Sequence, residues 1–125
     1  MNGNSDTDYV RLRLRLYFGD DLMLGPGKAD LLDLIASHGS IAAAGREMKM
    51  SYKRAWMLVE AMNKAFRAPL VDSTRGGIQG GGARLTETGE QVLAHYRRLE
   101  QQVAVSGASE IKAIRDLLNV TSKTE

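Results

Sequence analysis

The stretch that decides the fold reads Gly39-Ser40-Ile41-Ala42-Ala43-Ala44-Gly45-Arg46-Glu47-Met48-Lys49-Met50-Ser51-Tyr52-Lys53-Arg54-Ala55-Trp56. Gly39 stops the preceding element, and Ser40 is a residue type that caps a helix by accepting a bond from a backbone N–H. The helix it opens, Ile41 to about Met48, is short and rich in Ala42, Ala43, Ala44 and Gly45, side chains small enough for another helix to cross closely. Met48-Lys49-Met50 makes a turn of about three residues, and Ser51 offers a second cap. Beyond it Ala55, Leu58, Val59, Met62 and Phe66 recur at helical spacing, which predicts an amphipathic helix from about Tyr52 to Phe66 with one buried stripe. Pro69 prevents it from continuing. Two helices joined in this way form a helix-turn-helix.

Outward from that centre, Val10 to Phe18 alternates. Val10, Leu12, Leu14 and Leu16 fall on one side and Arg11, Arg13 and Arg15 on the other, the period of a strand with one buried face and a charged solvent face. Gly19-Asp20-Asp21 turns the chain, and Leu22-Met23-Leu24 can pair back. Gly25-Pro26-Gly27-Lys28 lacks the spacing of a phosphate loop and reads as the entry to a helix over about 27–38. Downstream, Leu70 to Thr74 and Ala83 to Thr86 read as two strands around the glycines Gly76, Gly77, Gly80, Gly81 and Gly82, a hairpin with a long, mobile tip. Thr86 and Gly89 open a long helix in which Val92, Tyr96, Leu99 and Val103 form a seam at coiled-coil spacing, suited to packing on a partner. Gly107 breaks it, and Ile111, Ile114, Leu117 and Leu118 mark a last amphipathic helix.

The fold class expected is mainly α with small β: a winged helix-turn-helix with a long C-terminal dimerisation helix. The 125 residues divide into a disordered tail over 1–9, a winged helix-turn-helix domain over 10–86, dimerisation helices over 87–119 and a tail over 120–125. With 43% hydrophobic residues there is enough apolar surface for a core. Without cysteine, disulfides and thiolate metal sites are excluded, and His38 and His95 have no ligand spacing around them. Neither a cofactor nor a metal is expected. No apolar run approaches the roughly 20 residues that span a bilayer. There is no apolar leader, so a cytoplasmic protein without membrane contact is expected. Asp30 and Asp33 share a helical face with nothing to pair with them, which gives no basis for catalysis, and no enzyme is expected.

Net charge is only +2, but its distribution is uneven. Lys49, Lys53, Arg54, Lys64, Arg67, Arg75 and Arg84 lie in one stretch with only Glu60 and Asp72 as acids, the footprint of a surface made for a polyanion. On the outer face of the 52–66 helix sit Ser51, Tyr52, Lys53, Arg54, Met57 and Lys64. Lys and Arg can bond phosphates, and Arg can read guanine through O6 and N7. Met48, Met50, Met57 and Met62 read as core filler rather than as a ligand site. The competing class is a winged helix that binds a protein partner instead of DNA. Phosphate contacts weaken steeply with salt, while an apolar interface responds little.

The string from Gly39 to Trp56, with Glu60, Met62-Asn63, the glycine-rich segment from Gly76 to Gly89 and Leu24-Gly25-Pro26-Gly27-Lys28, resembles the DNA-binding domain of the ModE family of molybdate-responsive regulators, itself related to the LysR type. The likeness covers about residues 10–105. It implies a transcriptional regulator that binds double-stranded DNA as a homodimer on a palindromic operator. The DNA-binding residues would be Ser40, Lys49, Ser51, Tyr52, Lys53, Arg54 and Lys64, and on the wing Arg75, Gly80, Gly81 and Arg84. Self-association would use Leu31 and Ile35 of the first helix, the N-terminal strand, and Val92, Tyr96, Leu99 and Val103. Trp56 also matches, and its neighbours suggest a mostly buried ring. Lys49 stands where the family usually has glycine. The family's molybdate-holding domains have no counterpart in these residues, so molybdate binding is not expected of them.

Overall fold

The computed structural model describes residues 10–74 and 82–119. The chain runs β1 (Leu16–Phe18), β2 (Leu22–Leu24), α1 (Pro26–His38), α2 (Ile41–Glu47), α3 (Tyr52–Ala65), β3 (Val71–Thr74), β4 (Gly82–Leu85), α4 (Glu87–Ser106) and α5 (Ala108–Asp116). β1 and β2 form one antiparallel pair, with Leu16 opposite Leu24; β3 and β4 form another, with Val71 opposite Leu85 and Thr74 opposite Gly82. The fold is the expected winged helix-turn-helix followed by a long helix.

The local signals act as anticipated. Ser40 Oγ accepts the Ala43 N–H at 3.0 Å and starts α2, and Ser51 Oγ accepts the Arg54 N–H at 3.1 Å and starts α3. Gly39 adopts the left-handed conformation (φ 72°) and donates to Ile35 O, closing α1. Its own carbonyl then accepts the Ala83 N–H at 2.9 Å, so the end of α1 is stitched to β4. Gly45 lies so close to α3 that a Cβ there would stand 3.0 Å from the Ala55 Cβ, which explains the small residues at the crossing.

Leu31, Leu32 and Ile35 of α1, Ile41 and Ala44 of α2, and Ala55, Val59 and Met62 of α3 pack with Leu70 and Val71 into the main core. Fully burying each of the larger aliphatic chains contributes about 1.5–3 kcal/mol. A second, smaller cluster joins Leu24, Ala29 and Tyr96, and Val92 and Leu93 of α4 touch both.

Two expectations are corrected. The N-terminal strand is not Val10 to Phe18 but Leu16–Phe18, with Val10 45% and Leu12 37% exposed. Its partner β2 is three residues long and ends at Leu24, before Gly25 and Pro26 turn the chain into α1, so no strand among the described residues pairs with residues 10–15. Among the described residues, the side chain that hydrogen-bonds this arm is Tyr96, whose hydroxyl donates to Leu14 O at 2.6 Å. The second correction concerns self-association. Leu31 and Ile35 have no exposed surface and Tyr96 retains 2%, so all three are interior residues rather than contact residues. Leu99 and Val103, further along the same seam, are half-buried.

Lys49 is the one non-glycine residue with positive φ, at 61°, among those described. An L-residue pays about 1–2 kcal/mol there, against which glycine carries about 0.4–1 kcal/mol of extra unfolded-state entropy. Lys49→Gly is therefore expected to stabilise the fold by roughly 0.5–1 kcal/mol in urea denaturation. Gly89 behaves oppositely. Alanine usually improves a helix by about 1 kcal/mol over glycine. At Gly89, however, a Cβ would overlap the Leu70 carbonyl oxygen. Gly89→Ala is expected to lower stability by about 1–3 kcal/mol in the same assay.

Candidate nucleic-acid interface

α3 turns Ala55, Val59 and Met62 inward and Lys53, Arg54, Met57, Ala61 and Lys64 outward. The sorting follows from the 3.6-residue period, which puts positions 53, 57 and 64 roughly opposite the buried stripe. Lys49, on the turn before α3, is exposed as well. None of Lys49, Lys53, Arg54 and Lys64 takes part in an ion pair among the described residues.

The opposite holds for Arg97 of α4. Its guanidinium reaches Asp30 at 2.8 Å and Asp33 at 2.6 Å on α1, and Glu100 at 3.1 Å. Burial alone would ease its proton off, but the three carboxylates win and hold the proton more tightly than usual. The pair Asp30 and Asp33 thus has a partner that lies more than 60 positions away in the chain and that local sequence reading did not find. Next to it the Tyr96 hydroxyl is pushed up in pKa by burial and then by Glu100, so it remains a donor to Leu14 O.

Both cap serines remain equipped for a further contact. Each hydroxyl oxygen accepts one backbone N–H and leaves its own O–H free to donate. Beside Ser40 the start of α2, the exposed face of α3 and the wing converge on one notch, lined by Ser40, Ala42, Tyr52, Trp56, Ser73, Thr74 and Gly82. Tyr52 is 57% exposed and Trp56 36%, so both rings reach the notch, and the indole, though largely covered as expected, keeps some exposed surface.

On the wing, Arg84 stands opposite Asp72 with 3.8 Å between their charges. Both side chains are largely exposed, and such a surface pair contributes little. Arg75, Gly80 and Gly81 lie outside the described residues. The base of the wing is held by Asn63 of α3. Its Oδ1 accepts the backbone N–H groups of Leu70 at 2.8 Å and Val71 at 3.1 Å, and its Nδ2 donates to Val71 O at 3.1 Å. Asn63 had appeared only as part of a motif, with no role attached.

A capped helix crossing a second one, with a β-hairpin pinned beside it, defines the winged helix-turn-helix class. The fold is shared with the CbnR DNA-binding domain in a crystal structure of its DNA complex, at a TM-score of 0.55 and 20% identity, covering 70% of this chain and 95% of that one. Residues 28–90 match the bacterial regulatory helix-turn-helix proteins of the lysR family, and the chain belongs to that family. Within it the helix-turn-helix is of the ModE type. The chain is 46% identical over 77 residues to the molybdenum-pterin-binding protein MopA of Rhodobacter capsulatus, covering 62% of this chain and 29% of that protein. It is 42% identical over 80 residues to the transcriptional regulator ModE of Haemophilus influenzae, covering 64% and 31%. It is 36% identical over 92 residues to the DNA-binding transcriptional dual regulator ModE of Escherichia coli, covering 74% and 35%. The chain thus spans about a third of the length of these relatives.

Asn63→Ala removes all three ties and strands two backbone N–H groups of Leu70 and Val71. A loss of about 2–3 kcal/mol in denaturation is expected. Hydrogen exchange should localise it to β3, with Leu70 and Val71 deprotected first.

Proposed function

We propose that this chain is the DNA-binding part of a transcriptional regulator, which reads a palindromic operator as a homodimer. α3 enters the major groove and the wing rests on the backbone or minor groove. The observation that carries this reading is the contrast between the two faces. Arg97 of α4 is neutralised within the chain by three carboxylates, whereas Lys49, Lys53, Arg54 and Lys64 are exposed and without ion pairs among the described residues. Unpaired cations gathered around a helix are what a phosphate backbone neutralises. Lys53 and Arg54, on the first turn of α3, are best placed for the groove.

Self-association is supported by the apolar surface that the single chain leaves uncovered. Val105 is 67%, Ile114 64% and Leu117 86% exposed, and α5 contributes no buried residue. They lie on the last turn of α4, on α5 and at its C-cap, beyond the residues of α4 that reach the core. In a dimer on B-DNA the two α3 helices would stand about 34–36 Å apart, one helical turn.

The test is fluorescence anisotropy of the full chain on its upstream DNA, titrated with salt. Binding should weaken with a log–log slope of about −0.9 per neutralised phosphate. Arg54→Ala should cost about 1–3 kcal/mol on its preferred site if it reads a base. Binding indifferent to salt would overturn the reading in favour of a protein-partner module.

A further inference from the structure

Met57 is out of place for a methionine on an amphipathic helix. The other large aliphatic residues of α3 are buried or half-buried: Leu58, Val59 and Met62. Met57 is 56% exposed and points away from the core with Lys53, Arg54 and Ala61. With these, Ser51 and Leu58, it lines a shallow hollow on the outer surface of the first turns of α3. It is therefore not core filler. An isolated exposed apolar residue would need no explanation on an ordinary surface. Here its neighbours supply one. Lys53, one turn back, and Arg54, three positions back, would be drawn to phosphates or to guanine, which brings the thioether between them down onto the base edges. A thioether is a poor hydrogen-bond partner, so it gains nothing from the donors and acceptors there. The one apolar group that B-DNA exposes in the major groove is the C5-methyl of thymine.

We propose that Met57 reads thymine, its thioether packing on the C5-methyl group, and is a specificity-determining residue of the interface. The proposal rests on the DNA-binding reading above and adds a base identity to it. The flexible, unbranched side chain can follow the methyl as the duplex shifts. Lys53 and Arg54 supply affinity and register, while Met57 supplies discrimination at its own base pair.

The experiment uses the full chain. Duplexes that it prefers are selected from a random pool, and each thymine of the selected site is replaced singly by deoxyuridine, which keeps the base pair and removes only the methyl. Affinity is measured for the wild type, Met57→Ala and Met57→Leu. Burial of one methyl corresponds to about a fourfold change in affinity. The wild type should lose about that factor at one or two thymines in each half-site. Met57→Ala should bind thymine and uracil alike at those positions, and Met57→Leu should restore the difference. All three should melt at the same temperature, because Met57 lies outside the core. Wild-type indifference at every thymine, equal sensitivity in wild type and Met57→Ala, or a selected site without thymine would each overturn the proposal while salt-sensitive binding still stood. Failure to bind any duplex at low salt would instead bring down the DNA reading, and this proposal with it.

Discussion

The backbone of Leu70 is the point on which the rest of the structure depends. Its N–H is held by Asn63 of α3, its carbonyl accepts the Thr86 N–H at 2.9 Å, and its side chain is fully buried in the main core. Thr86 adds a bond from its hydroxyl to Pro69 O at 2.6 Å while that same oxygen caps α4 by accepting the Gly89 N–H. Gly89 lets the first turn of α4 lie directly against the Leu70 carbonyl. α3, the wing and α4 are thus tied at one residue, by backbone groups that would be costly to leave unpaired. The base of the wing is fixed against α3 there.

Charge is arranged to match. Around Arg97 the chain spends its acids: Asp30, Asp33 and Glu100 close on one guanidinium and brace α1 against α4. With these carboxylates engaged at the back, the α3 surface keeps its positive field. A protein of net charge +2 can in this way present a strongly basic face without being strongly basic.

What sequence reading captured and what it missed divide by distance along the chain. The caps at Ser40 and Ser51, the small-residue crossing at Gly45 and Ala55, and the stop at Gly39 act within a few positions, and the helix-turn-helix was legible from them. The outward cations of α3 followed from helical period alone. The strand over Val10 to Phe18 was over-read because alternation records which side chains are apolar but says nothing of whether a partner strand is long enough. Tyr96 of the α4 seam was misassigned for a related reason. Its spacing describes a helix face, and whether that face meets another copy or the chain's own Leu24 and Ala29 depends on contacts across some 70 positions. Asn63, Asp30 and Asp33 were silent in the same way: each has its partner on another element.

The same division of distances has a kinetic side. The helices α1, α2 and α3 are joined by short turns and can meet by closing small loops, which costs little entropy. The braces come from far away: Gly39 to Ala83, Asp30 to Arg97, and Leu14 to Tyr96 across 82 positions. Assembly is expected to run in that order, with the helical triad collapsing first and the wing and α4 docking afterwards. The arm over residues 10–15 waits longest, since its anchor is made only after α4 has been synthesised and seated. On the ribosome α3 would therefore exist, capped and charged, before the scaffold that orients it.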